Sequence, residues 1–179
     1  VSVFSLPTVI TDSDTSICLN DCVSLTATGA LSYLWSTAVG LSDPNIANPL
    51  ACPIITTQYV VEGTDASGCI NTDTVIVSIN DLPAIDAGNN ETICNTDSVQ
   101  LLATGGDTYL WTASTDLSNI TIDNPFASPS TTSTFFVTGV DTNGCSNNDS
   151  VIVFVNTLPF VTVSNDTSLC DLDSTQLIA

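Results

Sequence analysis

The chain alternates short apolar segments with polar turns and shows no helical period. In residues 98–103 the apolar side chains Val99, Leu101 and Ala103 recur at every second position, which is typical of a strand with one buried face. In residues 149–155 the last five positions are all apolar. This second pattern predicts a strand that is central in its sheet or covered by a neighbouring module.

Further strands are predicted at residues 108–111 and 133–140, which are rich in aromatic and β-branched side chains. The segments between them carry turn signals such as Leu-Pro, Thr-Gly-Gly-Asp, Asp-Asn-Pro and Asp-Thr-Asn-Gly. Short strands with a turn roughly every 8–12 residues are typical of a β-sandwich. The pattern therefore predicts an all-β chain of small sandwich modules.

The whole pattern returns along the chain at a constant interval of 76 residues, without insertion or deletion. The recurring elements are Leu6-Pro7 with Leu82-Pro83 and Leu158-Pro159, Cys18 with Cys94 and Cys170, Tyr33-Leu34-Trp35 with Tyr109-Leu110-Trp111, and Gly68-Cys69 with Gly144-Cys145. The repeat predicts the last strand of a preceding repeat at residues 1–5, modules at 6–81 and 82–157, and the start of a third module at 158–179. A tandem array that extends past both ends is the simplest expectation.

The amino-acid composition excludes several classes of function. The chain has 19 Asp and Glu residues but no Lys, Arg or His, so nothing neutralises a phosphate backbone and nucleic-acid binding is excluded. Apolar residues make up 43% of the chain, which argues for a folded protein. No apolar run of about 18 residues is present, and we expect no membrane insertion.

Catalysis is not expected. The chain lacks the usual general base and every cationic clamp, and it contains no paired Asp-Thr/Ser-Gly elements of an aspartic protease. Composition leaves a glycosidase carboxylate pair open, but a 76-residue sandwich has little room for a cleft. We therefore predict no enzyme and no cofactor.

Seven cysteines and the absence of His favour disulfides over a metal site. Cys18 and Cys69 are 51 residues apart, as are Cys94 and Cys145, so we predict the disulfides Cys18–Cys69 and Cys94–Cys145. Cys22 and Cys52 are both replaced by Ser in the second repeat, which predicts Cys22–Cys52. Cys170 is expected to be unpaired because its partner would lie beyond the chain. Disulfides at this density predict an extracellular protein.

A group of segments resembles a known family. The module is similar to the tandem immunoglobulin-like (Ig-like) or PKD-like repeats of very large Bacteroidota cell-surface proteins, including gliding-motility adhesins. The matching segments are Ile93-Cys94, Asp97-Ser98-Val99-Gln100-Leu101, Ala103-Thr104-Gly105-Gly106, Tyr109-Leu110-Trp111, Thr56-Thr57-Gln58-Tyr59-Val60-Val61 and Asp141-Thr142-Asn143-Gly144-Cys145. The resemblance implies export, attachment to the cell surface and a long extended chain.

The sequence contains candidate positions for calcium binding and for O-glycosylation. Acidic residues at equivalent positions are candidate calcium ligands, with solvated turns as the simpler interpretation; they are Asp21, Asp97, Asp173, Asp65, Asp141, Asp73, Asp149, and near a junction Asp12 and Asp14. The family resemblance also implies O-glycosylation where Asp-Ser or Asp-Thr precedes an apolar residue. Thr74, Ser98 and Ser150 fit that pattern.

We therefore predict a structural or adhesive segment of a long extracellular repeat protein that forms or decorates a cell-surface filament. Its partners would be neighbouring repeats and, beyond them, surface glycans or other cells. One alternative is a carbohydrate-binding module, for which Tyr33, Tyr59 and Phe135 are candidate platform residues. The others are a spacer in a large secreted enzyme, and a short subunit that polymerises through residues 1–6 or 161–179. The tryptophans Trp35 and Trp111 are expected in the core.

Overall fold

A computed structural model describes residues 3–112, 114–163, 168, 171 and 176 of the chain. Within these residues the secondary structure consists of short strands joined by turns. In chain order they are β1 Ile10–Thr11, β2 Thr15–Cys18, β3 Val23–Ser24, β4 Ala27–Thr28, β5 Ser32–Ser36, β6 Leu50–Ala51, β7 Thr57–Thr64, β8 Ile70–Asn80, β9 Glu91–Cys94, β10 Val99–Gln100, β11 Thr108–Trp111, β12 Phe126–Ala127, β13 Ser133–Val140 and β14 Ser146–Asn156.

The first repeat contains a four-stranded sheet in the order β2-β8-β7-β5. β2 runs parallel to β8, with Cys18 opposite Asn80, whereas β7 is antiparallel to both β5 and β8. The opposing layer is formed by the antiparallel pairs β1-β4 and β3-β6. This layer continues between the pairs, because the Leu25 amide donates to the Pro49 carbonyl over 2.9 Å.

The second repeat has the same topology. Its sheet order is β11-β13-β14-β9, with β9 parallel to β14 and Cys94 opposite Asn156. The opposing layer keeps the pair β10-β12 and, where the first repeat has β1-β4, a bridge between Asp86 and Thr104. The 76-residue period of the sequence is therefore also a period of the structure.

The core follows the two-residue alternation of the sequence. In the first repeat, side chains from both layers form one cluster of buried residues: Val9, Leu25, Ala27, Trp35, Ala51, Tyr59, Val61, Val75 and Val77. In the second repeat Val151 and Val153 of β14 are buried, whereas Phe154 in the same strand is 43% exposed. β14 lies between β13 and β9 and is therefore central in its sheet, which is one of the two predicted alternatives.

Two compact units can be distinguished by their internal contacts. The first contains residues 1–85 together with the second-repeat segments Gly105–Thr108 and Thr138–Asn148. The second contains Asp86–Thr104, Tyr109–Val137 and Asp149–Ala179. The module boundaries expected from the repeat stay a prediction.

The fold class predicted from the sequence is confirmed: the chain is all-β and consists of tandem, disulfide-bonded β-sandwich modules of Ig-like type. In the part of the chain that the structure describes, no helix has the length and apolar character needed to cross a membrane.

Candidate functional site: cysteines, carboxylates and exposed aromatic residues

The first disulfide joins Cys22 to Cys52 within the first repeat, as the sequence predicts. Cys22 immediately precedes β3 and Cys52 follows β6, and the pairing of Val23 with Ala51 places the two cysteines side by side. Their Cα atoms are 4.3 Å apart. This disulfide therefore fastens two paired strands of one layer.

The second disulfide corrects the predicted pairing. Cys18 is bonded to Cys145, which is 127 residues away in the second repeat, with the Cα atoms 5.5 Å apart. The predicted disulfides Cys18–Cys69 and Cys94–Cys145 are absent, and both predictions were wrong. The bond lies inside the first compact unit, which includes residues 138–148.

Strand direction explains why the predicted pairs do not form. Cys18 pairs with Asn80 at the end of β8, whereas Cys69 directly precedes Ile70 at its start. At about 3.3 Å per residue, eleven residues of strand separate the two cysteines by roughly 36 Å, far beyond the roughly 4.4–6.8 Å that a disulfide requires. Cys94 and Cys145 lie in the same way at opposite ends of β14.

Two described cysteines carry free thiols. Cys69 is half-buried and Cys94 is exposed, whereas the bonded Cys145 is completely buried. Cys170, predicted to be unpaired, lies outside the described residues. The repeated interval of 51 residues predicted the wrong pairs; the bonded cysteines are 127 residues apart, which is one 76-residue repeat longer.

Each of the cysteines Cys69 and Cys145 ends a tight hairpin turn built on an aspartate. The Asp65 carboxylate accepts hydrogen bonds from the amides of Ser67 and Cys69 over 2.8 and 2.9 Å. The Asp141 carboxylate accepts the equivalent bonds from Asn143 and Cys145 over 2.9 and 2.8 Å. These aspartates therefore have a structural role in the turns.

Other carboxylates bind backbone amides across the sandwich. Asp73 accepts from Thr11 over 2.8 Å, and its equivalent Asp149 accepts from Ala87 over 2.9 Å. Asp12 accepts from the Thr26 amide, and Asp14 accepts from the Ile76 amide over 2.9 Å. In a chain without cationic side chains, backbone N–H groups thus supply the positive partners of these carboxylates.

The candidate calcium ligands among the described residues do not form a metal-binding group. Asp21 and Asp97 are exposed, and Asp173 lies outside the described residues. Within the residues that the structure describes, no group of three or more His, Cys, Asp or Glu side chains is placed to hold a metal ion.

Two aspartates have pKa values below the usual range. For Asp149 the main cause is the hydrogen bond from the Ala87 amide, followed by that from Ser150. For Asp43 the causes are the backbone and then the side-chain hydrogen bond from Asn45. Burial raises the pKa of the Tyr59 hydroxyl, which donates to the Val39 carbonyl over 3.0 Å. These shifts accompany structural hydrogen bonds.

The aromatic residues selected from the sequence do not form an exposed platform. Tyr59 and Phe135 are buried, and Tyr33 is half-buried with its hydroxyl donating to the Ala30 carbonyl over 3.1 Å. Trp35 and Trp111 are each 1% exposed, which confirms the core interpretation. Their indole N–H groups donate to the carbonyls of Ile46 and Ile122, respectively.

Exposed aromatic and aliphatic side chains occur elsewhere. Phe136 on β13 is 55% exposed and Phe160 is 92% exposed. One concavity of about 430 Å³ is lined by residues that include Val39, Ile54 and Ile55, and another of about 280 Å³ by residues that include Asp86 and Glu91. Neither concavity has an aromatic wall.

The three candidate glycosylation residues, Thr74, Ser98 and Ser150, are all exposed. Thr74 lies in β8 and Ser150 in β14, while Ser98 directly precedes β10. Sugar attachment at these hydroxyls stays a prediction. Of the terminal segments considered for strand exchange, residues 3–6 are exposed and outside any strand.

Similarity to known proteins is limited to solved structures. No family model matches the chain, and no curated protein matches it. Among solved structures, the insect immune protein hemolin aligns over 84% of this chain and 46% of its own, with 11% identity and a TM-score of 0.41. The N-terminal Ig1-2 module of the Drosophila receptor protein tyrosine phosphatase DLAR aligns over 85% of this chain and 100% of its own, with 10% identity and a TM-score of 0.34.

A C-terminal fragment of intimin in complex with the intimin-binding domain of its translocated receptor is also similar. It aligns over 82% of this chain and 63% of its own, with 16% identity and a TM-score of 0.45. The chain thus spans less than half of hemolin, the first of these structures.

Proposed function

We propose that this chain is a segment of a long extracellular repeat protein that has a structural and adhesive role, forming or decorating a cell-surface filament of Bacteroidota gliding-adhesin type. The observation that carries the proposal is the disulfide between Cys18 and Cys145. A bond between cysteines of successive repeats serves continuity along the chain, since a single module does not need it to close its own sandwich.

The surface supports the same proposal. All 19 ionisable acidic side chains lack a cationic partner on the chain, so copies repel one another at low salt. The chain also offers trypsin-like proteases no Lys or Arg at which to cleave. Both properties suit a protein that persists outside the cell as a filament separate from its copies. The disulfides require an oxidising environment.

Cores filled by apolar side chains argue against catalysis. Among the described residues no Asp, Glu, Ser, Thr, Asn or Gln side chain is buried, and the buried Tyr59 hydroxyl is bonded to the Val39 carbonyl, whereas active sites commonly hold perturbed, desolvated acids or bases. The carbohydrate-binding alternative has lost its candidate platform, because Tyr59 and Phe135 lie in the core. Recognition of surface glycans or cells would therefore have to use other residues.

Immunogold electron microscopy of intact cells, with antibody raised against this chain, tests the proposal. Label along threads that leave the cell surface is expected. Label confined to compact particles in the culture medium would contradict a filament and favour a spacer within a secreted enzyme.

A further inference from the structure

The free thiol of Cys69 is presented by the same backbone as the bonded sulfur of Cys145. In both turns the cysteine carbonyl accepts from the aspartate amide over 3.0 Å, from Asp65 in one and Asp141 in the other. Gly68 and Gly144, which precede the cysteines, have φ angles of 80° and 82°. The two turns are therefore the same structure, once with its disulfide partner and once without.

The free thiol of Cys94 matches Cys18 in the same way. The amides of Asp97 and Asp21 donate to the carbonyls of Cys94 and Cys18 over 3.0 and 2.9 Å. Each cysteine ends a strand that runs parallel to the last strand of its module. Cys94 is exposed, whereas its bonded equivalent Cys18 is half-buried.

We infer that Cys69 and Cys94 are the two halves of a second and a third copy of the Cys18–Cys145 bridge. Cys69 bonds the Cys18 equivalent of one adjoining repeat, and Cys94 bonds the Cys145 equivalent of another. The adjoining repeat belongs either to the same polypeptide or to a second copy of this chain. The inference extends the array proposed above, but it depends on the bonding of the thiols and not on the location of the protein.

The spacing gives such bridges an unusual property. The observed bridge spans 127 residues, whereas the repeat is 76 residues long, so successive bridges within one polypeptide would overlap. Residues 94–145 would lie inside two covalent loops at once. An array of this kind stays in one piece after a single backbone cut within a loop, and a pulling force bypasses most of the polypeptide.

Bond formation requires an oxidant, which a small-molecule or protein disulfide supplies. The thiolate of Cys94 attacks that disulfide and releases one thiol; the thiolate of the partner cysteine then attacks the mixed disulfide and releases the second thiol. Two protons and two electrons leave the cysteine pair, and the reagent disulfide is reduced to two thiols.

The test uses the 179-residue chain with Cys170→Ser, incubated with oxidised and reduced glutathione. Cys170 is equivalent to Cys18 and Cys94 by repeat position, so its thiol could form additional disulfides. The substitution removes these additional products. The Cys170→Ser protein, which keeps both Cys69 and Cys94, is expected to give a ladder of dimers, trimers and longer species on non-reducing gels. Mixing ¹⁴N and ¹⁵N protein and digesting it with pepsin should yield Cys69–Cys94 peptides that carry both isotopes.

Single variants sharpen the result. Cys69→Ser alone and Cys94→Ser alone are each expected to stay monomeric, whereas an equimolar mixture of the two is expected to give a dimer and nothing longer. Homodimers of either variant, free thiols in all samples, or a Cys69–Cys94 bond within one copy would overturn the inference. In protein taken from the cells that secrete it, a fall in mass on reduction identifies a second copy as the partner, whereas an unchanged mass together with the absence of free Cys69 and Cys94 thiols identifies a repeat of the same polypeptide.

Discussion

Cys18 is bonded to Cys145, although Cys69 is its equivalent partner by repeat position in the same module. The parallel pairing of β2 with β8 places Cys18 beside Asn80 and leaves Cys69 at the far end of that strand. A module of this topology therefore carries its two shared cysteines at opposite ends. This placement suits the proposed linear array, in which each of the two cysteines would meet a different neighbouring repeat.

Removing the Cys18–Cys145 bond should destabilise the chain. For Cys145→Ser we expect a loss of up to about 5 kcal/mol in the free energy of unfolding, because the bond closes a loop of more than 100 residues in the unfolded state. The matched control is Cys69→Ser, which alters a free thiol in the equivalent turn and should change stability by less than about 0.5 kcal/mol. Urea titration under non-reducing conditions measures both; equal losses would contradict the assigned pairing.

The Cys18–Cys145 bond should also shorten the contour length that the chain reaches under a pulling force. Pulled from its two ends, the oxidised chain should hide the residues between Cys18 and Cys145. At about 3.3–3.6 Å per residue, reduction should release roughly 42–46 nm of additional contour length. Single-molecule force spectroscopy with and without reductant provides the measurement. The Cys69→Ser protein should behave like the wild type. Without reductant, Cys145→Ser should give an extension shorter than that of the reduced wild type by the roughly 10 nm that the 30-residue Cys22–Cys52 loop still hides.

Acid should weaken the fold partly through Asp149. Its pKa is lowered in the folded state by the amides of Ala87 and Ser150, so its contribution to stability is present above the unfolded pKa of about 3.9 and is lost as pH falls through the folded pKa. Asp149→Asn keeps an acceptor for the Ala87 amide but cannot titrate, and it should lose less stability between pH 5 and pH 2.5. Asp97→Asn, at an exposed position, is the control; an identical acid profile for all three proteins would contradict the role of Asp149.

Close backbone approach makes Gly105 sensitive to a side chain. Gly105 has a φ of 90°, and a Cβ atom there would lie 2.0 Å from the Ala84 carbonyl oxygen. Gly144 has a φ of 82° but no heavy atom within 4 Å of the same position. Gly144→Ala should therefore cost only the conformational strain of roughly 1–2 kcal/mol, and Gly105→Ala distinctly more. Thermal unfolding of the two variants measures the difference, and equal Tm values would show that the backbone yields without cost.

Indole hydrogen bonds should matter equally in both repeats. Trp35→Phe removes a buried N–H donor to the Ile46 carbonyl and leaves a void, which should cost about 2–4 kcal/mol. Trp111→Phe loses the equivalent bond to Ile122 and should cost a similar amount. Leu34→Ala, at a 48% exposed position next to the core residue Trp35, is the control and should cost less than about 1 kcal/mol. Urea unfolding followed by circular dichroism checks all three.

Much of this protein could be read from the sequence because it depends on local pattern. Alternating side chains such as Val99 and Leu101 define strands, the constant interval defines the repeat, and the joint presence of Cys22 and Cys52 in one repeat indicated their bond. Trp35 was correctly placed in the core, since one tryptophan recurs at a constant point in a strand. These features need no knowledge of which strands become neighbours.

The partner of Cys18 and the exposure of Tyr59 were decided only by the tertiary structure. Sequence spacing does not tell whether β2 runs parallel or antiparallel to β8, yet this direction determines which end of the module receives Cys18. The face that Tyr59 presents likewise depends on β7 lying between β5 and β8, beneath the opposing layer. Strand pairing is a contact between distant parts of the chain, and alternation within one strand carries no information about it.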